Sequence, residues 1–145
     1  MNNIDPKYIF PLAFGISLED IHTKISKNFN YHHDRNRYVL TYNFITIQEH
    51  PFDCGCLIIG GLNYCDKEPL SLIEKYASLS GYSKIIGTIR AKSFNQVFIK
   101  ILQEANYTFI DTGPSSRHPE FNTWLIYKVI EPEIKGYIYE NHDWC

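Results

Sequence analysis

The stretch from Cys56 to Asn106, CLIIGGLNYCDKEPLSLIEKYASLSGYSKIIGTIRAKSFNQVFIKILQEAN, alternates two apolar runs with two amphipathic segments of helical period. Strand, helix, strand, helix in that order favours a parallel strand pair joined by a right-handed crossover. The first strand is expected over Cys56–Tyr64. Asp66 is placed to cap the following helix, and Pro69 falls in its first turn, where a missing N–H has no intrahelical partner anyway. Leu70, Ile73, Tyr76 and Ala77 form its buried stripe, and Gly81 ends it in the left-handed C′ position. Lys84–Arg90 is the second strand. Ser93 is expected to cap the second helix, which turns Phe94, Val97, Phe98, Ile101, Leu102 and Ala105 inward and closes on a left-handed Asn106.

The flanking segments supply further strands and one more helix. Tyr8 to Phe14 is short and apolar, and Pro11 restricts it to an edge or irregular strand. Ser17 is a good N-cap with Asp20 three residues on, and Leu18, Ile21, Ile25 and Phe29 then recur at helical spacing. That helix should end near Asn28–Asn30, with a polar loop over Tyr31–Asn36. Tyr38 to Gln48, YVLTYNFITIQ, reads as one long strand or as two broken near Asn43, and pairs as an antiparallel hairpin with the strand from Cys56. Thr108–Asp111 and Thr123–Val129 are two more strands, separated by the polar loop TGPSSRHPEFN.

Composition excludes several partners. The chain has 145 residues, is 44% hydrophobic and carries a formal charge of −2, which suits one globular domain. Nucleic acid is not expected as a partner: no block of five like charges exists, and Arg35-Asn36-Arg37 is too short to hold a phosphate backbone. No apolar run approaches the ~20 residues of a membrane span, and the start lacks a signal-peptide core. A cytoplasmic protein with reduced thiols is therefore expected.

The metal and thiol readings are weak. Cys54 and Cys56 share one side of an extended segment, and His50 and Cys65 could complete a four-ligand set. Zinc sites normally pair two Cys-x2–4-Cys motifs, and no second pair exists, so no metal is expected and the cysteines read as buried thiols. His32-His33-Asp34 reads as a polar turn. His50 or His118 could serve a cysteine nucleophile, but no spacing selects either.

The Gly60-Gly61 pair inside the first parallel strand has two readings, a site of close ligand approach or a tight bend against packed neighbours.

The element order resembles that of the GCN5-related N-acetyltransferases, the GNAT family. LSLIEKYASLSGYSKIIGTI resembles the family's helix–strand stretch, Asn95, Phe98 and Asn106-Tyr107 fall on the spacing of its Asn-x-x-Ala…Gly-Phe pattern, and TWLIYKVI resembles its closing strand. The resemblance covers roughly residues 38–130 best. It implies a mixed α+β domain over residues 1–130, with a central, mostly antiparallel sheet, one parallel splayed strand pair and flanking helices. It also implies an acyl-CoA-dependent N-acyltransferase with acetyl-CoA as cofactor. On that basis the strand backbone at Leu62, Asn63 and Tyr64, together with Asn95, would contact the cofactor, and Glu49 or His50 would be the base that deprotonates the amine.

Two departures from the family weigh against catalysis. Its phosphate-binding loop is glycine-rich, whereas this chain has Cys65-Asp66-Lys67-Glu68-Pro69, with two carboxylates where phosphates would lie. The family's thiolate-protonating Tyr is replaced by Leu102. The alternative is a catalytically inactive binding or structural protein of the same fold, for example a bacteriophage virion or accessory protein, resident in the host cytoplasm or the particle. The tail, residues 131–145, carries Ile134, Tyr137, Ile138, Tyr139 and Trp144, more apolar bulk than a free end needs. It is expected to pack on the domain, on a second copy or on a protein partner.

Overall fold

The computed structural model describes residues 18–34, 37–50, 53, 55–93 and 96–132. Within them the chain runs α1 (Leu18–Lys24), β1 (Phe29–Asp34), β2 (Arg37–Tyr42), β3 (Ile45–Glu49), β4 (Cys56–Gly60), α2 (Lys67–Leu79), β5 (Lys84–Ala91), α3 (Val97–Glu104), β6 (Thr108–Pro114) and β7 (Asn122–Val129). The described strands form one seven-stranded sheet in the order β1-β2-β3-β4-β5-β7-β6. Every neighbouring pair is antiparallel except β4 and β5, which run parallel from Cys56↔Lys84 to Ile59↔Gly87. The expected mixed sheet with a single parallel pair is thus present, and α2 is the crossover that joins that pair.

The sheet buries one face far more than the other. Lys128 of β7 meets Glu74 of α2, and it lies opposite Ile85, which lies opposite Leu57, which lies opposite Glu49. Directly opposed residues share a face, so these side chains all point toward α2. Ile47, Ile59, Ile85, Ile126 and Trp124 extend that face, and the rings of Phe29, Tyr42, Tyr76 and Tyr82 complete the core. A fully buried large apolar side chain stabilises by about 1.5–3 kcal/mol, so this one-sided layer supplies most of the driving force. The opposite face carries Thr88 and Arg90, both exposed, and the half-buried Ile58, Ile86, Leu125 and Tyr127.

Several boundaries differ from the sequence expectation. Phe29 does not extend the first helix: α1 stops at Lys24, and Phe29 opens β1, whose ring packs edge-on to Tyr42 at 4.9 Å. The segment 31–34 is strand rather than loop, because an edge strand pairs through its backbone and needs no hydrophobic run. The stretch 38–48 is two strands, with Asn43 at the turn in left-handed conformation (φ 53°). β4 ends at Gly60, and Leu62–Tyr64 form a 3-10 turn instead of continuing the strand. Ser93 does not cap the last helix; α3 begins at Val97, with Gln96 as an extended N-cap residue that makes no side-chain capping bond. β6 runs on to Pro114 past a bulge at Asp111/Gly113, which carries the chain over the end of the sheet. Asp66, Gly81 and Asn106 take the expected cap positions, the last two at φ 88° and 69°.

The expected strand at Tyr8–Phe14, the Ser17 cap, Cys54, Asn95 and the tail from residue 133 lie outside the described residues. Before that point Glu131 is tied down, its carbonyl accepting from the Ser78 hydroxyl at 2.8 Å.

Candidate functional site

The site is built where the parallel pair comes apart. The β4–β5 ladder ends at Ile59↔Gly87, while β5 continues through Thr88–Ala91, paired there, among the described strands, with β7 alone. Gly61 forces the divergence. Its φ is 73°, and a Cβ there would stand 2.2 Å from the Phe44 carbonyl oxygen, so the chain can leave the sheet at this point only as glycine. Gly87 does the same from the other strand: its missing Cβ leaves room for the Ile59 carbonyl and the Leu62 side chain, each of which would be 2.9 Å away.

The parted strands leave a pocket of about 520 Å³. Gly61, Leu62 and Asn63 form one wall, Thr88, Ile89 and Arg90 the other, and Thr123, Phe121 and His118 close it from the β6–β7 connection. That connection is held by backbone bonds, Ser115 N–H to the Phe121 carbonyl at 2.8 Å and Phe121 N–H to the His118 carbonyl at 2.9 Å. The His118 ring meets Phe121 edge-on at 6.2 Å, and its Nδ1 lies 3.8 Å from the Glu120 carboxylate. Lys92 stands over the Phe121 ring at 5.1 Å. Among the described residues, the pocket combines a strand edge left open by β4, hydroxyl and amide side chains, one imidazole and a guanidinium, and no carboxylate lines it.

Among the residues singled out in the sequence, Leu62 and Asn63 line this pocket. Tyr64 is the last residue of the 3-10 turn. Asn95 is outside the described residues. Glu49 and His50 do not line it. Glu49 lies opposite Leu57, three pairs before Gly60↔Thr46, about 10 Å back along the sheet at strand rise. Its side chain is 1% exposed beneath α2, and burial pushes its pKa from 4.5 to about 8. Its carboxyl sits near Tyr82, whose phenol is itself raised by burial and then by the neighbouring Tyr76 and Glu49. His50 donates its backbone N–H to the Cys56 carbonyl at 2.9 Å, continuing the β3–β4 pairing.

The ligand set built on Cys56, Cys65 and His50 is not assembled. Cys56 opens β4 and Cys65 follows the 3-10 turn at its far end. Both are buried free thiols whose pKa burial pushes up to about 11, so neither is poised as a nucleophile. Among the described residues no group of three or more His, Cys, Asp and Glu could hold a metal ion.

The N-terminus of α2 is occupied by its own acid: the Asp66 carboxylate accepts from Lys67 N–H at 2.8 Å. Lys67 pairs with Glu104 of α3 at 3.2 Å. Leu102 is fully buried.

No motif or spacing in the sequence marks Thr88, Arg90, Phe121 or Thr123 as a site residue, and His118 stands out there only as a possible partner for a cysteine nucleophile, although all five line this pocket. One available signal is that ligands in open α/β sheets bind at the carboxyl ends of parallel strands. Thr88 and Arg90 are alternate residues at the end of the strand most securely read from sequence.

No family model matches the chain, and no curated protein matches it in sequence. Among solved structures, its fold is similar to an acetyltransferase of the GNAT family from Streptococcus pneumoniae. That pair is 13% identical over 68% of this chain and 63% of the other, with a TM-score of 0.46. The ribosomal-protein-S18-alanine N-acetyltransferase of Escherichia coli is 11% identical over 82% of this chain and 80% of its own, with a TM-score of 0.44. Just under two thirds of the first of these chains is therefore spanned.

Proposed function

We propose that the pocket between β4 and β5 binds the thioester end of an acyl-CoA and that the protein transfers the acyl group to an amine. The observation that carries this reading is the end of the parallel ladder at Ile59↔Gly87, beyond which β5 offers an unpaired backbone edge along the pocket. An edge of alternating N–H and C=O groups pairs with an extended ligand that carries amides, and the pantetheine arm of an acyl-CoA is such a ligand. The fit is uneven along that molecule. The strand edge suits the amide-bearing arm, whereas Asp66 at the α2 N-terminus opposes a phosphate there. When bound, acyl-CoA supplies an activated acyl group.

The chain's own residues then divide the work. Leu62 and Asn63 line the pocket at the start of the 3-10 turn, where backbone N–H groups have no intrahelical partner and would serve as donors for a carbonyl oxygen. His118, where the β6–β7 connection closes the pocket, would accept the proton of the attacking amine as the amide bond forms and return it to the thiol that leaves as the thioester bond breaks. Glu49 and His50 are replaced in this role because neither lines the pocket. Leu102, buried in the core, takes no part in protonating a leaving group.

Calorimetric titration with acetyl-CoA tests the proposal. The wild type should bind weakly, and the double change Asp66→Gly, Glu68→Gly should bind tighter. His118→Gln should slow transfer by about 10²–10⁴-fold with acetyl-CoA affinity unchanged. No heat from either the wild type or the double variant, with the fold intact, rules the reading out. The occupied α2 N-terminus and the buried Leu102 favour a second reading for that outcome, a binding or structural protein that uses the same pocket without chemistry.

A further inference from the structure

We infer that the mouth of the β4–β5 pocket is a subsite for an oxyanion, a carboxylate or phosphate group of the ligand, with Arg90 as its anchor. Arg90 and Thr88 are alternate residues on the open face of β5, and Thr123 is the direct cross-strand partner of Arg90. All three line the pocket, so a guanidinium and two hydroxyl-bearing side chains are presented to it from neighbouring positions of β5 and β7. No carboxylate lines the pocket, and Arg90 forms no ion pair among the described residues.

Two acids of the β6–β7 region are already engaged. Glu120 faces His118 at 3.8 Å, and Asp111 accepts from Gly113 N–H at 2.8 Å within the β6 bulge. Lys92, held over Phe121, adds a second cation to the same rim. A concave site with the Arg90 guanidinium in its lining, Lys92 beside its Phe121, hydroxyl donors and no lining acid among the described residues favours an anion, and a planar guanidinium matches carboxylate and phosphate oxygens in pairs. The same cations are a poor environment for a protonated amine, so this subsite takes the acidic group of a ligand and not its amine. This inference rests on the pocket's charge and lining, independently of acyl transfer.

The test is a titration followed by 1H–15N spectra at constant ionic strength, with inorganic phosphate, with succinate and with neutral succinamide. Phosphate or succinate should shift the Arg90 Nε–H and the amides of Thr88 and Thr123 saturably, and succinamide should not. Arg90→Gln should raise the dissociation constant of the binding anion by about 5–10-fold at an unchanged melting temperature, since the side chain is exposed, and Arg90→Lys should recover part of it. Tighter binding of phosphate identifies a phosphorylated ligand, and tighter binding of succinate an acidic one. Non-saturating shifts from both anions, or equal affinity in Arg90→Gln, overturn the subsite. Neither probe contains a thioester, so this result and the acetyl-CoA titration succeed or fail separately.

Discussion

A carboxyl group enclosed by isoleucine-rich strands and two tyrosines resists ionisation, because burial removes the water that would stabilise the charge. Glu49 is in this position, its pKa raised from 4.5 to about 8. The unfolded chain gives up this proton near 4.5 while the folded chain keeps it until about 8, so between those values the folded state binds more protons. The stabilising contribution of neutral Glu49 is complete below pH 4.5 and is lost as pH rises toward 8, at up to about 1.4 kcal/mol per pH unit. Urea unfolding at pH 5, 6 and 7 should show this fall, and Glu49→Gln should flatten it. A wild-type profile that rises over the same interval would contradict the buried, protonated Glu49.

At the scale of elements, the pocket exists because two strands that begin as a ladder cannot continue as one. Gly61 stands in the left-handed region against a backbone carbonyl that cannot move without moving β3. Alanine at this position adds the strain of positive φ to a clash at 2.2 Å, and Gly61→Ala should destabilise by about 2–4 kcal/mol. That lowers the melting temperature by roughly 5–15 °C for a domain of this size. Thermal unfolding followed by circular dichroism measures it directly, and a shift under about 2 °C would mean that the bend tolerates a side chain. The Gly60-Gly61 pair is thus a bend that also opens the pocket.

For the whole molecule, a polar contact ties α2 to β7 and to the turn that follows α3. Glu74 of α2 accepts from Lys128 of β7 at 2.5 Å and from the Tyr107 hydroxyl at 3.4 Å, and Lys128 lies over the Tyr107 ring at 5.7 Å. The two charged side chains are only 23% and 20% exposed. Ion pairs this sheltered couple more strongly than surface pairs, and removing one partner strands the other. Glu74→Gln and Lys128→Met, measured singly and together in a denaturant double-mutant cycle, should give a coupling energy of about 1–3 kcal/mol. A coupling under about 0.3 kcal/mol would show that the contact is solvated and ties nothing together.

The sequence by itself determined the parallel pair, its crossover helix and the caps at Asp66, Gly81 and Asn106. Local signals decide all of these: apolar periodicity, a capping carboxylate, and the few residues that accept positive φ. Leu62 and Asn63, which the family resemblance names as strand backbone, line the pocket from the 3-10 turn that follows β4. The tertiary structure alone decided that Glu49 is buried under α2 instead of reaching the cleft. Strand alternation assigns a side chain to a face, but only packing reveals which face is covered. His118 and Thr123 join Thr88 and Arg90 in one pocket for the same kind of reason. β7 inserts beside β5 out of sequence order, and the β6 bulge carries the intervening loop over the parted strands. Both are long-range pairings that no local pattern along the chain specifies.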